Sequence, residues 1–372
     1  MKAEKTVKSA VVELTNIKQE ELELMWSNYQ RWLHTGKGGD RVYSAHRQQA
    51  ERNLDMDYLK GGKVYPLFLR KDLIEFKDCE SDLADYFFKI PSKQRYGGIK
   101  VPIKTHMDIK DKYEICESKL LKRNGRFHLH IMIKKDVFVR ERYDGVLGID
   151  LGLRQPVTSV ALPDRDTVLD GCRIRDVQTH FFYLRRQTNY GSNRSRFYRR
   201  EYDKVNDCIH KLTNKIVQYA EENNLLIVVG DLEGVQDQKN GKTMNRKLHR
   251  FPHYELRRQL EYKARWNGIG YVEVSEAWTS QLCSRCGAKG KRSAGLFRCN
   301  NCGLEIHSDK NGAHNIGRRA LGKFSRPLSR AGGFVASPRA GSDDLTALRD
   351  FYSLVKSASG MQPHQLWSEA PS

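Results

Sequence analysis

Apolar residues recur along this chain with three different periods, and each period marks a different kind of element. Between Gln19 and Leu33 the positions Leu22, Met25, Trp26, Tyr29, Trp32 and Leu33 fall three and four apart, which predicts one stripe of an amphipathic helix. Its aromatic content reads as core rather than as a base-stacking platform. Phe127, Leu129, Ile131 and Ile133 alternate with His128, His130 and Met132, as in a strand with one buried and one open face. Asn124-Gly125, which tolerates the positive φ of a tight turn, joins that strand to Tyr113 to Lys122 as a hairpin. Val7 to Leu14, Val64 to Phe76, Tyr86 to Ile90 and Lys100 to Lys104 are further strand candidates. The third pattern is the short unbroken apolar run, at Val146 to Asp150 and Leu225 to Val229, expected of strands covered on both faces. Between and after these runs come a long helical region from Asp176 to Glu222, a helix at Tyr254 to Arg265 and a strand at Tyr271 to Val274. Strands alternating with helices predict an α/β domain with a mixed sheet, preceded by a separate β-rich domain. Beyond residue 320 the chain turns to Ser, Pro, Gly and Ala, with a single helical candidate at Leu345 to Val355, and is expected to be a flexible tail.

Charge narrows the function. The 372 residues hold 65 Lys+Arg against 45 Asp+Glu, a net charge of +20, which points to a polyanionic partner and away from enzymes of acidic or neutral metabolites. In the first half of the long helical region Arg185, Arg186, Arg194, Arg196, Arg199 and Arg200 stand among Phe181, Phe182, Tyr183, Tyr190, Phe197 and Tyr198. Guanidinium groups interleaved with rings suit phosphate contacts and base stacking, so these six are the candidate nucleic-acid ligands. No apolar run approaches a membrane span and the first residues lack the apolar core of a secretory signal, so an intracellular protein is expected.

Four of the eight cysteines are scattered; the other four form two knuckles, Cys283-Ser284-Arg285-Cys286 and Cys299-Asn300-Asn301-Cys302, each followed by a glycine. Thiolates at i and i+3 on two tight turns can close a tetrahedron around one zinc ion, and four such ligands leave no open position, so the expected role is structural. Directly after the second knuckle come Asp309, Asn311, Gly312, Ala313, Asn315 and Ile316, entering a helix. Asp150 ends the first buried strand. Acidic residues from such places converge where a fold holds two Mg²⁺ ions roughly 4 Å apart for phosphodiester hydrolysis. An aspartate at a strand end is more often a cap, so neither residue carries the assignment alone.

Together these residues resemble the TnpB family, the transposon-encoded RNA-guided nucleases related to Fanzor proteins and to miniature type V CRISPR effectors. GIDLG at 148 to 152 resembles the first RuvC motif. LEYKARWNGIGYVEVSEAWTSQLCSRCG at 260 to 287 resembles the approach to the zinc ribbon, and GLFRCNNCGLEIHSDKNGAHNI at 295 to 316 the second knuckle with the third RuvC motif. The resemblance covers about 141 to 320. It implies an α/β plus β-rich architecture: a wedge-type β-barrel domain over 1–140 with a helical recognition insert at about 17–60, then an RNase H-like RuvC nuclease domain. That domain would run over 141–278 and 305–320 around a zinc ribbon at 279–304, with a tail at 321–372. One departure stands out: Gly230 occupies the place before Asp-Leu where many members carry the middle catalytic glutamate. Glu276, Glu233, or no replacement at all are the alternatives. Strand parity favours Glu276, which shares a face with Val272 and Val274, and a rearranged subset of the family places its glutamate just before Thr-Ser and the first knuckle.

What the resemblance implies is a guide-RNA partner, a double-stranded DNA target, recognition of a short adjacent motif, and Mg²⁺-dependent cleavage by Asp150, Glu276 and Asp309. The protein would be cytoplasmic and nucleoid-associated in a prokaryote, or nuclear in a eukaryote. A catalytically inactive RNA-guided repressor, a CRISPR-associated effector and, less readily, a DNA transposase are the competing readings.

Overall fold

The computed structural model describes residues 2–12, 14–59, 61–109, 113–152, 155–163, 167–170, 172–188, 191–231 and 251–321. Glu233 and the anticipated tail helix lie outside them. The chain divides into two compact units, Met1–Asp136 and Val137 onward.

The first unit is an eight-stranded antiparallel sheet: β1 (Lys2–Val11), β2 (Leu67–Leu69), β3 (Glu75–Ser81), β4 (Ala84–Ile90), β5 (Ile99–Lys104), β6 (Glu114–Ile115), β7 (Ser118–Arg123) and β8 (Arg126–Asp136). Its path is β2-β7-β8-β1-β5-β4-β3, with β6 also on β8. Among the described residues β2 and β3 do not pair, so the ladder is open rather than the closed barrel anticipated from sequence. The continuous strand expected from Val64 to Phe76 breaks in two because Arg70 donates from Nε and Nη2 to both carboxylate oxygens of Asp72 (2.9 and 2.6 Å), and a single 3-10 turn forms at Lys71–Leu73. The Asn124-Gly125 hairpin forms as expected, with φ of 50° and 77°.

Helix α1 (Asn16–Thr35) buries all six residues of its predicted stripe, confirming that the aromatics are core. Tyr29 Oη and Gln30 Nε2 donate to the carbonyls of Pro66 and Tyr65 (3.0 and 2.7 Å). Helix α2 (Ser44–Asn53) was not singled out from sequence, because its inward face is Ala45, His46, Gln49 and Ala50 and carries no large apolar residue. His46 makes up for that by bonding Phe68 O and Pro91 O through its two ring nitrogens (3.1 and 2.8 Å).

The second unit centres on a five-stranded sheet of β9 (Gly145–Asp150), β10 (Thr158–Leu162), β11 (Thr167–Asp170), β12 (Leu225–Asp231) and β13 (Tyr271–Ser275), ordered β11-β10-β9-β12-β13. The first three strands are antiparallel neighbours; β9, β12 and β13 run parallel. The long helical region anticipated from Asp176 to Glu222 comprises two helices, α3 (Cys172–Gln187) and α4 (Gly191–Glu222), packed on each other; α5 (His253–Trp266) packs on α4 and β13. Beyond β13 a small three-stranded sheet, β14 (Lys291–Ser293), β15 (Leu296–Arg298) and β16 (Glu305–His307), leads into α6 (Ser308–Ala320).

Register fixes which face each side chain takes. Gly148 pairs with Val228, and Gly230 with Val274, so Gly148, Asp150, Val228, Gly230, Val272 and Val274 share one face. Helix α6 covers it. Gly148 permits this, since a Cβ there would overlap Ala313 O and approach Gly317 N at 2.8 Å. The opposite face carries Asp231 and Glu273, both bound by Arg257 of α5.

Candidate active site and metal centre

Three expected carboxylates meet at the carboxyl ends of β9, β12 and β13. Asp150 projects from the end of β9 beneath α6, so close that a Cβ on Gly312 would lie 2.7 Å from its Oδ2. Asp309 stands in the first turn of α6, where its backbone N–H donates to the His307 Nδ1 that caps the helix. Its Oδ1 accepts from Arg292 Nη2 at 2.8 Å and from Ser308 Oγ at 3.2 Å.

Glu276 follows β13. Its side chain folds over Gly230, where a Cβ would overlap Oε1, Cγ and Cδ of the glutamate. The missing side chain of β12 therefore leaves the space that a carboxylate from the neighbouring strand fills. Glu276 Oε1 is buried and without a hydrogen-bond partner.

The electrostatics show the three groups acting on one another. Burial, then the negative charge of Asp309, pushes the Asp150 carboxyl up to about 7, with Arg292 opposing. Burial, then Asp150 and Asp231, pushes Glu276 up to about 8, against Arg257 and Arg319. Carboxylate oxygens are hard donors, the kind that divalent cations such as Mg²⁺ take. Sequence reading passed over Arg292: it lies in a polar stretch between the knuckles, and only the fold brings it to Asp309.

The cysteines converge as their spacing requires. All four sulfurs lie within 4.8 Å of one another, with Cys283 to Cys302 at 3.6 Å and Cys286 to Cys299 at 3.5 Å. A tetrahedron with arms of about 2.3 Å has edges near 3.8 Å, so the cluster is compatible with zinc. Gly287 and Gly303 take φ of 76° and 71°, which accounts for the glycine after each knuckle.

The six arginines divide. Arg186, Arg194, Arg196, Arg199 and Arg200 are exposed on α3 and α4. Arg185 is a correction to the expected nucleic-acid set: it is buried, ion-paired to Glu201 and stacked 4.3 Å from the Tyr198 ring centroid, so its donors join α3 to α4. No helix among the described residues is long and apolar enough to cross a membrane.

Residues 253–316 match the family model described as Cas12f1-like, TNB domain. A TnpB-like protein of Methanocaldococcus jannaschii is 27% identical over 235 residues, covering 55% of this chain and 84% of that protein. A CRISPR-associated endodeoxyribonuclease Cas12f1 of Sulfoacidibacillus thermotolerans is also 27% identical, over 57% of this chain and 56% of its own length. The chain thus spans about half of that relative. Among solved structures, a Cas12f1–sgRNA–target DNA complex shares the fold at a TM-score of 0.52 and 15% identity, covering 81% of this chain and 82% of that one. In sequence over its second unit, in its four-cysteine cluster and in its fold, the chain is thus similar to TnpB-like and Cas12f proteins.

Proposed function

We propose that the protein is an RNA-guided DNA endonuclease whose nuclease centre is Asp150, Glu276 and Asp309 on an RNase H-like RuvC sheet. The observation that carries this is the Glu276 carboxylate lying in the space above Gly230, facing Asp150. Its relatives named as endodeoxyribonucleases, and a structural neighbour solved with guide RNA and target DNA, support the substrate class.

The donors are of the kind magnesium takes: three acidic side chains, of which Glu276 has a buried oxygen lacking any partner and Asp150 and Glu276 lie where burial disfavours their charge, in a set less tightly drawn together than the four cysteines. Asp150, Glu276 and Asp309 would hold the ions. When bound, Mg²⁺ supplies Lewis acidity for hydrolysis of a phosphodiester. The protein's own groups do the rest. β9 and α6 fix Asp150 and Asp309 on rigid elements, and Arg292, held at Asp309, places a guanidinium where a phosphate must approach a cluster of carboxylates. The ribbon would hold zinc in a closed structural site through Cys283, Cys286, Cys299 and Cys302. The exposed Arg186, Arg194, Arg196, Arg199 and Arg200 would contact the backbone of the guide–target hybrid, whose sequence is read by base pairing. The β-rich unit and its helices would bind guide RNA and the motif-bearing duplex.

Expression with the flanking genomic DNA, sequencing of co-purified RNA and challenge with a matching plasmid test the proposal. A discrete bound RNA and Mg²⁺-dependent cutting are expected, abolished in Asp150→Ala and Glu276→Ala but retained in Glu233→Ala. No discrete RNA would sink the guided reading, and cutting that survives Glu276→Ala would sink the site.

A further inference from the structure

Glu276 does not sit on a strand. It follows the last residue of β13, and from Ala277 to Gln281 the chain turns without a ladder to hold it. Thr279 folds back so that its N–H and Oγ1 both donate to Glu276 O (3.1 and 2.7 Å). Trp278 takes a φ of 70°, a region that a bulky residue occupies only under constraint from outside. A carboxylate on such a segment needs a holder that the sheet does not provide.

Helix α6 is that holder. Asn311, Asn315 and Arg319 stand at i, i+4 and i+8, hence on one face. Asn315 Nδ2 donates to the carbonyls of Thr279 and Leu282 (2.8 and 2.7 Å). Asn311 Nδ2 donates to Leu282 O at 2.8 Å while its Oδ1 accepts from Ser284 N at 2.9 Å. Arg319 Nη2 reaches Ala277 O at 2.6 Å, and its Nη1 reaches Ser275 O. Both asparagines are fully buried. One rigid helix therefore carries Asp309, lies on Asp150 through Gly312, and fastens the turn that bears Glu276. Ser284 belongs to the first cysteine knuckle, so the same helix face also grips the metal ribbon.

We propose that Asn311 and Asn315 are positioning residues for Glu276. They hold its turn so that the carboxylate stays above Gly230, and they couple that position to the fold of the 283–286 knuckle. The inference rests on the reading of Asp150, Glu276 and Asp309 as a divalent-cation site. A glutamate carried on β12 itself would be oriented by the ladder; one carried on a turn needs side-chain donors, and two buried amides supply them.

The test is Mn²⁺ binding by the full-length protein, purified free of nucleic acid at high salt, by calorimetric titration, with zinc content and far-ultraviolet circular dichroism measured on each sample. Asn315→Ala is expected to weaken Mn²⁺ binding by roughly 10- to 100-fold, the range for residues that orient metal ligands, while zinc is retained. Asn315→Leu keeps the approximate volume and removes the donors without adding a charge, so it should weaken binding as well, and it serves if the alanine variant fails to fold. Combining Asn315→Ala with Glu276→Gln should weaken binding little beyond Glu276→Gln alone, because both changes act through one carboxylate. A folded, zinc-loaded Asn315→Leu protein that binds Mn²⁺ like the parent, or losses that simply multiply in the double variant, would overturn the positioning role. If Glu276→Gln leaves Mn²⁺ binding intact while Asp150→Asn reduces it, the assignment of Glu276 fails first and the positioning role falls with it.

Discussion

The second unit gathers like-charged ligands in two places, and it does so in opposite ways. The thiol cluster comes from one short stretch, Cys283 to Cys302, and its backbone is shaped for it: Gly287 and Gly303 turn with positive φ, and Arg285 N–H donates to Cys283 Sγ at 3.4 Å. The carboxylate cluster comes from β9, the turn after β13 and the start of α6. There the environment resists the charge it collects, with burial and mutual repulsion raising Asp150 and Glu276 far above the ordinary carboxylate range. The contrast leads to an expectation: the cysteine stretch, with a core of few residues, should depend on a bound metal for its local fold, whereas the carboxylates ride on a sheet and helix with a large core of their own.

Removing zinc should give the largest effect. Structural zinc contributes on the order of 10 kcal/mol or more to small domains, and the ribbon's own core among the described residues centres on Cys283, Phe297 and Cys299. Treatment with a strong chelator, or Cys299→Ser, should unfold 283–307 and make it the first segment cut in limited proteolysis, while β9 to β13 and α4 stay protected. If the five-stranded sheet is lost at the same chelator concentration, the two sites are not separable and the contrast fails.

The same contrast explains what the sequence disclosed. The cysteine spacing was readable because all its ligands are local and tied to glycines. The strands β9 and β12 and the buried stripe of α1 were readable from apolar pattern, whereas α2 was hidden because His46 and Gln49 fill places where a pattern search expects large apolar residues. Asp150 and Asp309 were recoverable from neighbouring motifs. Glu276 was singled out by strand parity and by resemblance to a rearranged subset of the family, while its contact with Gly230 stayed hidden because it is a matter of space left empty on another strand. Arg292 and the buried pairing of Arg185 with Glu201 could not be read at all, because each depends on elements brought together by the fold.

Filling the space above Gly230 is a sharper and smaller perturbation. Gly230→Ala adds one methyl group where Glu276 lies, so the glutamate must move while the sheet and ribbon remain. Loss of Mn²⁺ affinity of roughly tenfold or more is expected, with zinc content unchanged. Placing the carboxylate back on the sheet, as Gly230→Glu with Glu276→Ala, should recover part of that affinity. Equal binding by Gly230→Ala and the parent protein would mean that Glu276 does not need the space that the glycine leaves.

The smallest expected effect is one of stability, and its sign separates the two clusters. Asp150 lies beneath α6 within the field of Asp309 and beside Glu276, while the Arg292 guanidinium contacts Asp309. Asp150→Asn keeps the shape and removes one buried negative charge. With zinc in place and no Mg²⁺ added it should therefore melt higher than the parent protein, by a few degrees at roughly 2–4 °C per kcal/mol for a domain of this size. The corresponding change at the ribbon, Cys283→Ser, should melt lower because it discards a ligand without relieving repulsion. Differential scanning calorimetry with and without Mg²⁺ reads both signs. Magnesium should raise the melting temperature of the parent and leave Asp150→Asn nearly unmoved, so the advantage of the variant shrinks as the ion is added. A variant that melts lower than the zinc-loaded parent without Mg²⁺ would show that Arg292 and the helix already neutralise the site, and the repulsion invoked for the acidic cluster would then be absent.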